Sequence, residues 1–281
     1  MDWLKRLIIN ADDYGHCLEV NAAVEELSLA GLLGGVSILA NGDAFQPAVD
    51  YLRAHPEVSI GVHLNAVEGP PVAAGAAVEV LTSREGRFAG IGTVLMRWIT
   101  RPLALTRAIE TEWRAQIERL LAEGLTLSHA DSHQHLHAFP PAYGCVLRLC
   151  REYRIPGLRR PKEGLGRSKR LIQSIALQSS LTLSTMLSGP GNVISNDYFL
   201  GFNRTGGYGR SDLIGDLSAV SDGLIELGLH PSTRDGVPYP EISGDRERKL
   251  LLGDSLVPQI KRLGIDLTTW RTVTDEFLVQ D

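Results

Sequence analysis

Four of the eight histidines of the chain, His129, His133, His135 and His137, fall within nine consecutive positions that also hold Asp131. Imidazole and carboxylate together bind divalent ions, and one carboxylate with two imidazoles leaves coordination positions open for water and substrate. Partners for such a set stand elsewhere. Asp12 and Asp13 are adjacent in Ile8-Ile9-Asn10-Ala11-Asp12-Asp13-Tyr14-Gly15, and His63 closes Ile60-Gly61-Val62-His63-Leu64-Asn65. Taken singly, each has an ordinary explanation: an Asp in a loop before a helix often caps that helix, and a lone His at a strand end is more often structural. Two neighbouring carboxylates nevertheless repel unless a cation lies beside them. His230, in Glu226-Leu227-Gly228-Leu229-His230-Pro231, adds an imidazole that titrates near neutrality and could protonate a leaving amine.

These residues can meet only if the fold brings distant segments to one place. Apolar runs at 7–11, 36–40, 58–64, 125–130, 224–229 and 265–270 predict strands. Three-or-four spacing of apolar residues predicts helices at 18–30, 105–122, 143–153 and 246–263, with Gly31, Gly124 and Gly264 as stops. Such alternation means a mainly parallel sheet with helices outside. Asp12-Asp13, His63 and the histidine cluster all lie at the C-terminal ends of predicted strands, which in a parallel barrel share one face. The chain reads as a single α/β domain over 1–281. Residues 164–209, with an apparent helix at about 168–187 and then Gly- and aromatic-rich sequence, read as a lid or insertion; residues 69–87 read as a looser rim.

Composition bounds the function. The chain has 281 residues, 43% hydrophobic, with net charge −5, which argues against nucleic acid as a partner. The basic run at 154–169 reads as a solvated connection. Cys17, Cys145 and Cys150 suggest neither a disulfide framework nor a cysteine metal site, and the N-terminal residues show no export signal, so a cytoplasmic location without a stable membrane anchor is expected.

The chain resembles the YdjC-like carbohydrate deacetylase family, which includes chitooligosaccharide deacetylases and a hopanoid-associated branch. The resemblance rests on residues 8–15, on Gly61-Val62-His63-Leu64-Asn65 followed by Glu68-Gly69-Pro70, on Asp131-Ser132-His133-Gln134-His135-Leu136-His137, and on His230-Pro231. It implies a distorted TIM-like barrel, Asp13, His63 and His133 as metal ligands, Asp12 as general base and His230 as general acid. It also implies removal of the acetyl group from an N-acetylglucosamine-containing substrate, a chitooligosaccharide or a lipid-linked amino sugar, and a homodimer. Tyr14 stands where Phe is common and Leu229 where Cys is frequent, departures that touch pocket shape and not the chemistry.

The family implies magnesium, whereas two imidazoles favour zinc or a similar ion. Asp131 is expected to fix a histidine tautomer. Asn65, His135, His137, Arg159, Tyr198 and Phe199 are further candidates for binding substrate or supporting the ligands, the aromatics either by stacking on sugar rings or by packing the lid. Two other readings are an amidohydrolase- or phosphoesterase-type barrel, which would usually carry an HxH pair on its first strand, and a sugar-binding protein without catalysis.

Overall fold

The apolar runs become strands of one parallel sheet. The computed structural model describes residues 5–164 and 170–280. Among these the order is β1 (Lys5–Tyr14), α1 (Leu18–Leu29), β2 (Gly35–Ile38), α2 (Phe45–Ala54), β3 (Ile60–Leu64), α3 (Ile91–Thr100), α4 (Pro102–Ala122), β4 (Leu127–Ser132), α5 (Pro140–Tyr153), β5 (Gly157–Leu158), α6 (Leu171–Ser188), β6 (Tyr198–Leu200), α7 (Arg210–Ala219), β7 (Leu224–Leu229), α8 (Gly244–Leu252), α9 (Leu256–Arg262), β8 (Ile265–Leu267) and α10 (Trp270–Gln280).

The strands lie side by side as β5-β4-β3-β2-β1-β7-β6, with β8 also beside β1. The sheet curls into a distorted TIM-like barrel. Beyond edge strand β5, Ile194 pairs with Gly157, and on edge strand β6 Phe199 donates its N–H to the Lys162 carbonyl. The outer faces of the strands pack on helices: Leu7, Ile9, Ile225, Leu227 and Leu229 bury against a layer that includes Leu27, Leu213, Leu217, Leu251 and Ile260.

The inside of the barrel is polar, where such barrels are ordinarily filled by branched aliphatic side chains. Asn10 donates to Asp12 and Ser37, Ser37 donates to Asp131, and Arg159 reaches Glu226, all of them buried. His129 stacks on Trp270, ring centroids 4.8 Å apart. His129 needs a glycine opposite: a Cβ on Gly61 would stand 2.2 Å from its Nε2.

Several boundaries differ from the sequence reading. The helix expected over 246–263 is two, α8 and α9, because Pro258 cannot donate to residue 254; the break places it in the first turn of α9, where an N–H has no partner to lose. The strand expected over 265–270 ends at Leu267, and Thr269 caps α10 by accepting the N–H of Thr272. The helices expected from 105 and 143 begin earlier, at Pro102 and Pro140, whose fixed φ suits a first helical position. Of the helix expected at 168–187, residues 171–187 fall in α6 and 168–169 lie outside the described residues. Within 164–209, Tyr198–Leu200 is not loop but a strand of the main sheet, paired with β7.

Candidate active site

Alternation along a strand sends adjacent side chains to opposite faces, so Asp12 and Asp13 could not share a site on a regular strand. The register between β1 and β2 slips between Ala11 and Tyr14, and Asp13 has φ 60°, a left-handed conformation that Asp tolerates better than most residues. Both carboxylates thereby reach His63. Neither caps α1, whose N-cap position is Cys17.

Asp13 Oδ1 lies 3.0 Å from His133 Nδ1 and 3.4 Å from His63 Nε2. The candidate ligand atoms of these three buried residues lie within 4.8 Å of one another. Asp13 Oδ2 is buried without a hydrogen-bond partner, 4.0 Å from His230 Nε2. An unpaired buried carboxylate oxygen is costly and calls for a cation. The electrostatics agree. Burial works to lower the pKa of both imidazoles, yet their acidic neighbours prevail: Asp131 and Asp13 hold His63 up at about 10, and Asp13 raises His133. Burial opposes ionisation of Asp13, but His133 and His63 keep it well below the usual carboxylate range. A centre that draws protons in this way fits a divalent ion held by Asp13, His63 and His133. Asp131 Oδ1, 2.8 Å from His63 Nδ1, leaves Nε2 to face Asp13.

Asp12, His63 and Asp131 form a second close group, but there the cation is already supplied. The guanidinium of Arg159, fully buried, donates to both oxygens of Asp12 at 2.7 Å, lies 2.7 Å from Asp131 Oδ2 and donates to Glu226 Oε1 at 2.9 Å. The solvated connection read for residues 154–169 therefore fails at Arg159. Burial pushes Glu226 up to about 7, so near neutrality it is partly protonated and the net negative charge around Arg159 is relieved.

A small cleft of about 70 Å³ opens beside the cluster, lined in part by His16, Asn41, Asn65, Glu68, Arg87 and Tyr239. Asn65 shapes its wall: its amide donates to Asn41 and to the Glu68 carbonyl. His133 turns its Nε2 to this side, 3.2 Å from Glu68 Oε2 and 3.3 Å from the hydroxyl of Tyr239.

Four candidates lie outside this cluster. His137 is tied to Ser132 and to the Arg159 carbonyl. His135 packs between Phe199 and Phe202. Phe199 is buried with its ring 5.1 Å from the Arg159 guanidinium, and Tyr198 lines a cavity with Asp222 and Gly223 at the opposite, N-terminal end of β7.

Sequence reasoning quoted Glu68 within the family motif without giving it a role, and did not single out Tyr239, His16 or Gln116. Glu68 follows His63 by five residues in the next loop, and Tyr239 sits between two prolines; neither spacing marks a site on its own. Gln116 lies on α4 and clamps Asn65 by accepting its N–H and donating to its carbonyl. Only the fold brings that helix to the loop.

The family described as YdjC-like protein matches residues 6–262. The chain belongs to this family. Relatives named carbohydrate deacetylase include that of Brevibacillus brevis, 38% identical over 151 residues, 54% of this chain and 58% of that one. The match to the Oceanobacillus iheyensis carbohydrate deacetylase, 32% identical, covers 54% and 63%, so the matched segment spans under two thirds of either relative. The carbohydrate deacetylase of Geobacillus stearothermophilus is 34% identical over 272 residues, 94% of this chain and 96% of that one. Among solved structures, an Enterococcus faecalis V583 protein provisionally named for cellobiose-phosphate cleavage shares the YdjC-like fold with TM-score 0.74 over 96% of this chain and 99% of that chain, at 24% identity.

Proposed function

We propose that this protein is a metal-dependent hydrolase that removes the N-acetyl group from an N-acetylglucosamine-containing saccharide, free or lipid-linked. The observation that carries the reading is the buried group of Asp13, His63 and His133, with an unpaired Asp13 oxygen facing His230 and the Arg159-held carboxylate of Asp12 alongside. Full-length similarity to a protein named carbohydrate deacetylase supports the substrate class.

A divalent ion bound there supplies Lewis acidity toward the acetamide carbonyl and makes a water more acidic. The protein's own groups do the rest. Asp12, its oxygens oriented by Arg159, accepts the proton of the attacking water. Water adds to the acetyl carbon and the C–N bond breaks. His230, whose Nδ1 has no protein partner, delivers a proton to the departing nitrogen, so acetate and a free amine leave. Two imidazole ligands suit zinc and the family suits magnesium; metal add-back separates them.

An amidohydrolase-type centre built on the 133–137 histidines is disfavoured, since His135 and His137 are engaged elsewhere. The test is acetate release by metal-stripped protein from N-acetylglucosamine oligomers and lipid-linked amino sugars, with magnesium, zinc or cobalt restored. Release that requires metal supports the reading. No release from folded, metal-loaded protein on any of them, or equal release without metal, contradicts it.

A further inference from the structure

Helix α6 has no charged side chain in its 18 residues, LIQSIALQSSLTLSTMLS. It buries Ser174, Leu177, Leu181 and Ser184, and exposes Leu171, Ile172, Ile175, Leu183, Met186 and Leu187, with Ile172 81% and Met186 77% exposed. A helix suited to water hides its large apolar residues and shows its serines; here two serines are inside and six large apolar residues outside. The neighbouring segment repeats the pattern: Met96, Ile99 and Leu103, on α3 and the start of α4, are exposed, Ile99 by 85%.

The two segments flank one rim. Trp98 of α3 lies against Phe139, ring centroids 6.2 Å apart, and Ser184 of α6 donates to the carbonyl of Ala138 at 2.8 Å. Ala138 ends the turn that begins at His133, so this apolar face adjoins the candidate active site.

Within these two stretches the charge has one sign. Between residues 86 and 109 the charged residues are Arg87, Arg97, Arg101 and Arg107, and between 164 and 196 they are Arg167, Lys169 and Arg170. Neither stretch holds an acid, in a chain of net charge −5. Arg101 and Arg107 are exposed beside the apolar residues; Arg167 and Lys169 lie outside the described residues.

We propose that the face formed by α3, the start of α4 and α6 docks on an anionic lipid surface. Apolar side chains flanked by bases are the chemistry of an interfacial helix, which gains from burial below the headgroups and from attraction to them. A second copy of this chain is the competing cover. A two-fold contact would set the face against itself, bases opposing bases with no acid in either stretch to pair them. Among the described residues no helix is long and apolar enough to cross a membrane, so the contact is peripheral. The proposal does not depend on the reaction assigned above.

The experiment is flotation of the full chain with vesicles of phosphatidylcholine, alone or mixed with phosphatidylglycerol, at low and high salt. Binding to the mixed vesicles, weakened by salt, is expected. Ile172→Asp combined with Met186→Asp, both at exposed positions, should cut partitioning about tenfold or more, while the melting temperature and metal-dependent acetate release from a soluble oligosaccharide stay as in the wild type. Arg107→Glu should weaken binding to the mixed vesicles alone. Absence of binding to either vesicle, or binding unaffected by the paired Asp substitutions, overturns the proposal. So does a dimer in sedimentation that the same substitutions dissociate, which would make the face a self-contact.

Discussion

Arg159 donates from Nη1 to Asp12 Oδ2 and from Nη2 to Asp12 Oδ1, each at 2.7 Å, with none of its side chain exposed. The bidentate fork fixes where the Asp12 oxygens point, which the base role proposed for Asp12 requires. Arg159→Lys keeps a charge but loses the fork. It should fold and lose about 100-fold in deacetylation. Arg159→Met leaves buried carboxylates unpaired and should cost about 3–5 kcal/mol of stability. Denaturant melts and acetate assays on the two variants separate the roles.

Asp131 acts on His63 from behind, at 2.8 Å from Nδ1. Asp131→Asn should lower affinity for the divalent ion about 10- to 100-fold, the usual effect of losing such a partner. Asp12→Asn should stop turnover with the ion still bound. Competition with a chelator reads the first effect and acetate release the second; metal affinity unchanged in Asp131→Asn would remove it from the site's support.

Gln116 pairs with both backbone groups of Asn65, accepting its N–H at 2.8 Å and donating to its carbonyl at 2.6 Å. Gln116→Leu leaves both groups buried and unmet, so a loss of about 1–3 kcal/mol per group is expected. The loop carrying Glu68 should loosen as well, seen as faster amide exchange over residues 65–73.

Glu163 is buried and accepts N–H bonds from Gly201 and Asn203, and burial raises it from 4.5 to about 7. The folded protein therefore binds this proton more tightly than the unfolded chain. The resulting stability is present in full below the unfolded pKa of 4.5 and is lost as pH climbs to about 7; the loss is on the order of 3 kcal/mol. Glu163→Gln abolishes this slope, so the melting temperature of the variant relative to wild type should rise between about pH 5 and about pH 8. A constant difference across that range would exclude the linkage.

The parallel barrel was legible because its strands are buried and read as short runs rich in branched aliphatic residues that alternate with amphipathic helices. The positions of Asp12-Asp13, His63 and His133 were legible because each lies at or just past the C-terminal end of such a run. Arg159 was harder to place. In sequence it belongs to a basic run, and only the curl of the sheet shows that the two-residue strand β5 delivers it to the carboxylates of β1, β4 and β7. Strands as short as β5 and β6 bury too few residues to leave a period in the sequence. The bulge that turns Asp13 toward Asp12 is equally silent, since it lies in backbone torsions and not in residue type. The aromatic residues near 198–208 divided for the same reason: once 198–200 forms a strand, alternation sends Phe199 inward over Arg159 and Tyr198 outward against the apolar layer that covers β1 and β7.

In the proposed mechanism one ion held by Asp13, His63 and His133 is required for deacetylation. Metal content and acetate release, measured together on metal-stripped wild type and Asp13→Ala after a divalent ion is restored, test this most directly. One ion per chain with acetate release in wild type, and neither in a folded Asp13→Ala, is the predicted result. A folded Asp13→Ala that binds the ion and releases acetate as the wild type does would contradict it.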